Sequence, residues 1–321
     1  MFLFSNKKII LLAVGIILSC ATVQARTDAE EITINFEAYV GEDEFSCGES
    51  YDEIGVNEST ITPTDFRFYV SDVALIDEDG NSVPLELEQD DKWQYQNVAL
   101  LDFENGTEAC DNGTAETRTQ IVGKVPQGNY DSLQFTLGVP QELNHEDAAI
   151  APSPLNLTSM WWNWQGGYKF LRVDLETEEA IANVSNSDHS HSNQSDRQAS
   201  ILVNDDTHGQ TGHTKDGDHQ ASSNSYLIHL GSTGCSASAQ SSLFDCANPN
   251  RVEVLLEDFD AQKNVVIADL AQLLAASDLT TNEANTPNGC MSSPEDSDCN
   301  PILESLSLLS TTEEQTFFSV E

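Results

Sequence analysis

Apolar residues at Ile32, Ile34, Phe36, Ala38 and Val40 alternate with Thr33, Asn35, Glu37 and Tyr39. A two-residue period of this kind predicts a half-buried strand. The pattern returns at Phe66, Phe68 and Val70, at Leu133, Phe135, Leu137 and Val139, and at Val252, Val254 and Leu256, with Gly, Pro, Asn and Asp between the runs. Several short strands spaced in this way predict an all-β fold, an antiparallel β-sandwich with Greek-key-like connections. Asp77-Glu78-Asp79-Gly80-Asn81 separates two such runs and predicts a turn between antiparallel strands. An EF-hand calcium loop would need its glycine at the sixth position and helical flanks; counted from Asp77 the glycine is fourth, and neither flank has a helical period. One short helix is predicted over 269–277, capped by Asp269 and carrying Leu270, Leu273 and Leu274 on one face.

Two segments stand apart from this pattern. Lys7 and Lys8 precede an uncharged run over 9–18, and Val23-Gln24-Ala25 ends it, so residues 1–25 read as a secretory signal peptide. A transmembrane helix needs about 20 apolar residues, more than this run supplies. Ile17-Leu18-Ser19-Cys20 also resembles a lipoprotein box. Cleavage there would leave Cys20 lipidated, with attachment to the outer membrane; cleavage after Ala25 is the alternative. The expected compartment is the periplasm or outer surface of a Gram-negative bacterium. Residues 183–225 are rich in Ser, Asn, Asp, Gln, Thr and Gly and hold His189, His191, His208, His213 and His219. This composition predicts a disordered loop insertion. Loop-closure entropy rises slowly with length, so residues 26–321 are read as one domain.

Charge narrows the partners. The 321 residues carry 54 acidic and 13 basic side chains, a formal net charge of −41. Such a surface repels phosphate and anionic lipid and attracts cations, which excludes nucleic-acid binding by phosphate neutralisation. Without residues 1–25, six cysteines remain: Cys47, Cys110, Cys235, Cys246, Cys290 and Cys299. In an oxidising compartment three disulfides are expected, drawn from fifteen pairings; Cys235 with Cys246 and Cys290 with Cys299 are the local candidates. A thiolate zinc site is the rival reading, but the paired C-x-x-C spacing is missing. The chain has no G-x-S-x-G elbow, no H-E-x-x-H and no glycine-rich nucleotide loop, and it is read as a non-enzyme.

Chemistry concentrates elsewhere. His145 and His229 are the two histidines in patterned sequence, and either alone is more often a structural histidine than a ligand. Between them lies Met160-Trp161-Trp162-Asn163-Trp164-Gln165-Gly166-Gly167-Tyr168-Lys169-Phe170, where a two-residue period would put Trp162 and Trp164 on one face. The simpler account of this block is a buried aromatic strand.

The chain resembles the MbnP family of exported copper-binding proteins, found in methanobactin operons and outside them, and more distantly the copper-repressible CorA and MopE surface proteins of methanotrophs. The likeness runs through Phe45-Ser46-Cys47-Gly48, Asp65-Phe66-Arg67-Phe68-Tyr69-Val70, Leu137-Gly138-Val139-Pro140 with Asn144-His145, the Trp162-x-Trp164-Gln165 block, His229-Leu230-Gly231-Ser232-Thr233-Gly234-Cys235, and Cys290-Met291-Ser292 with Cys299. It implies a β-sandwich that buffers, stores or delivers copper. It also implies that one tryptophan of the WxW motif, Trp162 or Trp164, is oxidised to kynurenine by a di-haem partner of the MauG and cytochrome c peroxidase type (MbnH-type). Ring opening turns an indole without a free lone pair into an aromatic amine. That nitrogen with His145 and His229 would suit copper(I), and Met160 could add a soft thioether. The five histidines of the insertion would bind metal weakly at best, and a solvated spacer is the alternative. Two other functions remain open on the sequence: a secreted calcium- or carbohydrate-binding adhesion sandwich, and an electron donor that uses the tryptophans as hopping sites.

Overall fold

The computed structural model describes residues 29–111, 113–184, 224–237, 244–309 and 314–321. The leader with Cys20, and His189, His191, His208, His213 and His219, lie outside the described residues.

The molecule is an all-β sandwich. Its labelled strands are β1 (Ala29–Val40), β2 (Ser59–Asp77), β3 (Gln120–Pro126), β4 (Tyr130–Leu137), β5 (Trp161–Asn163), β6 (Gly167–Thr177), β7 (Ser225–Gly231), β8 (Thr233–Ala237), β9 (Phe244–Asn248), β10 (Val252–Leu256), β11 (Val266–Asp269) and β12 (Phe318–Val320). One sheet runs β12-β11-β1-β3 and ends on Glu86–Leu87; the larger runs β10-β4-β2-β6-β7 and ends on Gly289–Cys290.

The alternation read from sequence is realised. Ile32, Ile34, Phe36, Ala38 and Val40 are buried along β1, and they join Phe66, Phe68, Val70, Leu133, Phe135, Val252, Val254 and Leu256 in one core cluster between the sheets. Among the described residues the pairing departs from the antiparallel expectation at three places. β1 runs parallel to β11, β7 parallel to Gly289–Cys290, and Ala182–Val184 parallel to Thr281–Glu283. Long crossovers allow this, and a strand's apolar period does not encode its neighbour's direction. The flanks assigned to the insertion are also ordered strand: 183–184 belong to Ala182–Val184, and Ser225 opens β7.

The turn at 77–81 forms as expected, with the Asp77 carboxylate accepting from the backbone N–H of Asp79 and Asn81. The predicted helix forms with its cap but is shorter than its apolar face suggested: in α1 (Leu270–Leu274) the Asp269 carboxylate accepts from Ala271 N, and the helical run ends at Leu274. A second helix, α2 (Asn300–Ser305), has no counterpart in the sequence reading; it begins beside Cys299 and carries Pro301 in its first turn. Three disulfides join Cys47 to Cys110, Cys235 to Cys246 and Cys290 to Cys299.

What positions the site is the second face of the large sheet. On β2 and β6, Phe66, Phe68, Leu171 and Val173 enter the sandwich core, whereas Tyr69, Tyr168 and Phe170 belong to a separate apolar cluster. Val139, Leu143, Ala148, Leu155 and Met160, from the segment between β4 and β6, join that cluster together with Val98 and Leu100. The covering segment is tied down by Tyr69 and Tyr168, whose hydroxyls donate to the carbonyls of Pro154 and Leu155.

Candidate metal centre

Ile228 and Leu230 of β7 point into the sandwich core, so His229 and Gly231 point to the opposite, covered face. His229 is 8% exposed, and its Nε2 lies 2.6 Å from Asp174 Oδ1 on neighbouring β6. Burial pushes the imidazole below its ordinary pKa against the pull of Asp174, with Lys169 and Arg172 adding to the depression. Burial alone would raise Asp174, but the hydrogen bond from His229 and the Arg172 guanidinium hold it well below the usual carboxylate range. An ionised carboxylate can only accept, so Nε2 carries the proton and Nδ1 keeps its lone pair.

His145 is built differently. Leu143 N and Asn144 N both donate to Pro140 O, curling the chain after β4 into a turn. Nδ1 of His145 lies 3.2 Å from the Trp164 carbonyl oxygen and donates to it. Nε2 then accepts from Asn144 Nδ2 at 3.3 Å and faces Cys246 Sγ at 3.6 Å. The ring stacks on Phe244 with centroids 4.4 Å apart. Burial lowers its pKa, opposed by the hydrogen bond to the Trp164 carbonyl. Both histidines therefore favour the neutral form a metal requires, each with one nitrogen committed and the other a donor.

Asn144 fastens the two segments together. Its Oδ1 accepts from Tyr168 N at 3.0 Å, and its Nδ2 reaches Ser232 Oγ at 3.4 Å. Gly167 makes the fit possible: its φ is +76°, and a Cβ there would fall 2.5 Å from Asn144 O.

The expectation that Trp162 and Trp164 share a strand face fails. β5 stops at Asn163, whose Oδ1 accepts from Gln165 N and Gly166 N and turns the chain. Trp164 thus falls in the turn, 62% exposed and edge-on to Phe244. Trp162 is half-buried, its ring lying over Gly231 so closely that a Cβ at that glycine would sit 2.6 Å from Cζ3. It lines a cleft of about 440 Å³ with Asn163, Gln165, Ser232, Cys235 and Met291. Trp162 and His229 accordingly lie on the same side of β7.

Met160 does not line this cleft. It is fully buried among Tyr69, Leu155 and Tyr168 in the second cluster, and the thioether beside Trp162 is that of Met291. Cys290 next to it is paired with Ile228 of β7, which carries Met291 to the site. Asp174 and Asn144 were likewise unassigned by sequence reasoning. The Asp174 signal, an acid two residues from Arg172 and flanked by Val173 and Leu175 in an apolar strand, was available. Among the described residues, His145, Cys235 and Cys246 are grouped with ligand atoms within 4.8 Å of one another. The two sulfurs are bonded to each other, so neither is a thiolate.

A family model for MbnP matches residues 29–292. The chain belongs to the MbnP family. It is similar to the solved structure of MbnP from Methylosinus trichosporium, with a TM-score of 0.70 at 26% identity, covering 91% of this chain and 98% of that one. No curated protein matches. The MbnP match takes in His145, the Trp162 block, His229 and Met291, and stops short of Cys299 and α2.

Proposed function

We propose that this MbnP-family protein is exported, carries copper as its cargo, and buffers, stores or delivers it without catalysing a reaction of its own. In this reading Trp162 is converted to kynurenine by a di-haem MauG-like partner, consistent with the association of the family with methanobactin operons. The carrying observation is that one cleft presents Trp162 and the Met291 thioether, that the Trp162 ring lies over Gly231 on the side of β7 that carries His229, and that Asn144, next to His145, bonds to Ser232 of the cleft wall; each imidazole has one nitrogen tied to an acceptor. His145 Nε2, His229 Nδ1 and the Met291 sulfur supply a soft, low-coordination donor set suited to copper(I). Indole itself offers no such donor.

Trp162 is the tryptophan assigned because its ring already lines the cleft, whereas Trp164 faces solvent. Kynurenine formation breaks the indole C2–C3 bond, inserts two oxygen atoms at the expense of two equivalents of a peroxide-class oxidant, which are reduced to water, and loses the formyl carbon as formate on hydrolysis. The product keeps its aromatic amine where the indole nitrogen was. The test is copper content after co-production with the oxidising partner. Wild type should retain copper through desalting, and Trp162→Phe, His145→Ala and His229→Ala should each lose it. Full retention in Trp162→Phe would overturn the assignment, and unmodified tryptophan without copper uptake would favour the carbohydrate-binding alternative.

A further inference from the structure

We propose that the Cys235–Cys246 disulfide masks a second, thiolate-based copper(I) site, opened by reduction, whose third ligand is His145. The two cysteines face each other across the β8–β9 ribbon with Cα atoms 3.8 Å apart. His145 Nε2, the ring nitrogen not used on the Trp164 carbonyl, accepts a long hydrogen bond from Asn144 Nδ2 at 3.3 Å and lies 3.6 Å from Cys246 Sγ. All three ligand atoms fall within 4.8 Å of one another.

Access is selective. Cys246 is half-exposed, whereas Cys47, Cys110, Cys290 and Cys299 are all buried at 6% exposure or less. A thiol reagent therefore meets Cys246 first. Cys235 lines the Trp162 cleft, so the pair stands between the cleft and His145.

The donor set does not depend on the S–S bond for its placement. The ribbon remains paired at Thr233↔Asn248 and Ala237↔Phe244. Asn248 Nδ2 donates to Thr233 Oγ1, Gln165 Nε2 to Cys235 O, and Gln141 Nε2 to Phe244 O. A dithiol supplies the two electrons and two protons that break the disulfide, and is itself oxidised to a disulfide. Copper(I) then displaces both thiol protons to solvent and is held by two thiolates and one imidazole, a set soft enough to prefer it. Because His145 also serves the copper reading above, reduction would draw the ion from the Trp162 cleft toward the ribbon.

The inference shares His145 with that reading but needs no kynurenine, so the test uses the full chain made without an oxidising partner. The protein is treated with a dithiol, freed of it under anaerobic conditions, alkylated in one portion for peptide mapping, and otherwise titrated with copper(I) against a competing chelator. Free thiols are expected at Cys235 and Cys246, with about one copper(I) gained per chain over the oxidised protein and a thiolate-to-copper charge-transfer band in the ultraviolet. Alkylating the two thiols should abolish the gain, which serves also if the Cys235→Ser/Cys246→Ser variant fails to fold. His145→Ala should keep both thiols but weaken binding by roughly tenfold or more. Equal copper uptake by oxidised and reduced protein, thiols appearing at the other cysteines instead, or unchanged affinity in His145→Ala would each overturn the proposal. Failure of the kynurenine reading would show separately, as an unmodified tryptophan mass.

Discussion

The sandwich interior and the site end both use aromatic rings, but in opposite ways. Between the sheets, Phe36, Phe66, Phe68, Phe135 and Phe317 are each at most 2% exposed and meet largely edge-on or tilted. At the site, Trp162 is half-buried, Trp164 is exposed, and the chain between β4 and β8 is held by polar side chains bonding to backbone: Asn144 to Tyr168, Asn163 to Gln165 and Gly166, Asn250 to Gly231, Ser292 to Gly231. The first region is fixed by burial of apolar area; the second is fixed by hydrogen bonds that leave the Trp162 ring open to a cleft. Stability and copper chemistry should therefore separate by region.

The largest effect on folding is expected from Phe68→Ala, which should cost about 3–5 kcal/mol in denaturant unfolding because its cavity opens at the centre of the core. An equal cost from Trp164→Ala would break the comparison. Next is Asn144→Ala, which strands the buried Tyr168 N–H and should cost about 1–3 kcal/mol while loosening His145. It should lower copper retention as well as stability, and loss of stability alone would show that Asn144 does not position the imidazole.

Asp174→Asn sharpens the contrast further. With its carboxylate gone, His229 is no longer held in one tautomer, and copper affinity should fall roughly 10–100-fold in a competition titration. The pH dependence has a definite sign. His145 and His229 have lowered pKa values in the folded protein, so the unfolded chain binds more protons there and the metal-free protein loses stability as pH falls below about 6.5. Asp174, also lowered, adds a loss in the same direction once pH falls below the ordinary aspartate range of about 3.9. His229→Gln should flatten the first part of that decline in thermal unfolding. Smallest is Trp164→Ala, expected to change stability by less than about 0.5 kcal/mol, as for an exposed side chain.

The two regions also differ in how far they could be read from sequence. Alternation at 32–40 gave the buried face of β1 residue by residue, because period two and core burial are the same statement about a strand. The Asp269 cap and the Asp77 turn were legible for a similar reason: the side chain bonds to backbone a few residues away. The site was legible only in its ingredients. Applied to Trp162 and Trp164, the period-two rule failed because Asn163 ends the strand between them. Met160 packs into the covering segment's apolar cluster, and the β7 pairing with Cys290 is what brings the Met291 thioether to the cleft instead. Asp174 became visible only when β6 and β7 set it beside His229. Parallel pairing and α2 escaped notice because both depend on crossovers and a disulfide, which leave no local period.

The most direct measurement is peptide mass across residues 161–169 of protein co-produced with its di-haem partner, read alongside copper content. The account predicts a gain of about 4 Da at Trp162, the net of two oxygens added and carbon monoxide lost, in the copper-loaded fraction only. A copper-loaded protein with the Cys235–Cys246 disulfide intact and Trp162 unmodified, or with the gain confined to Trp164, would contradict it.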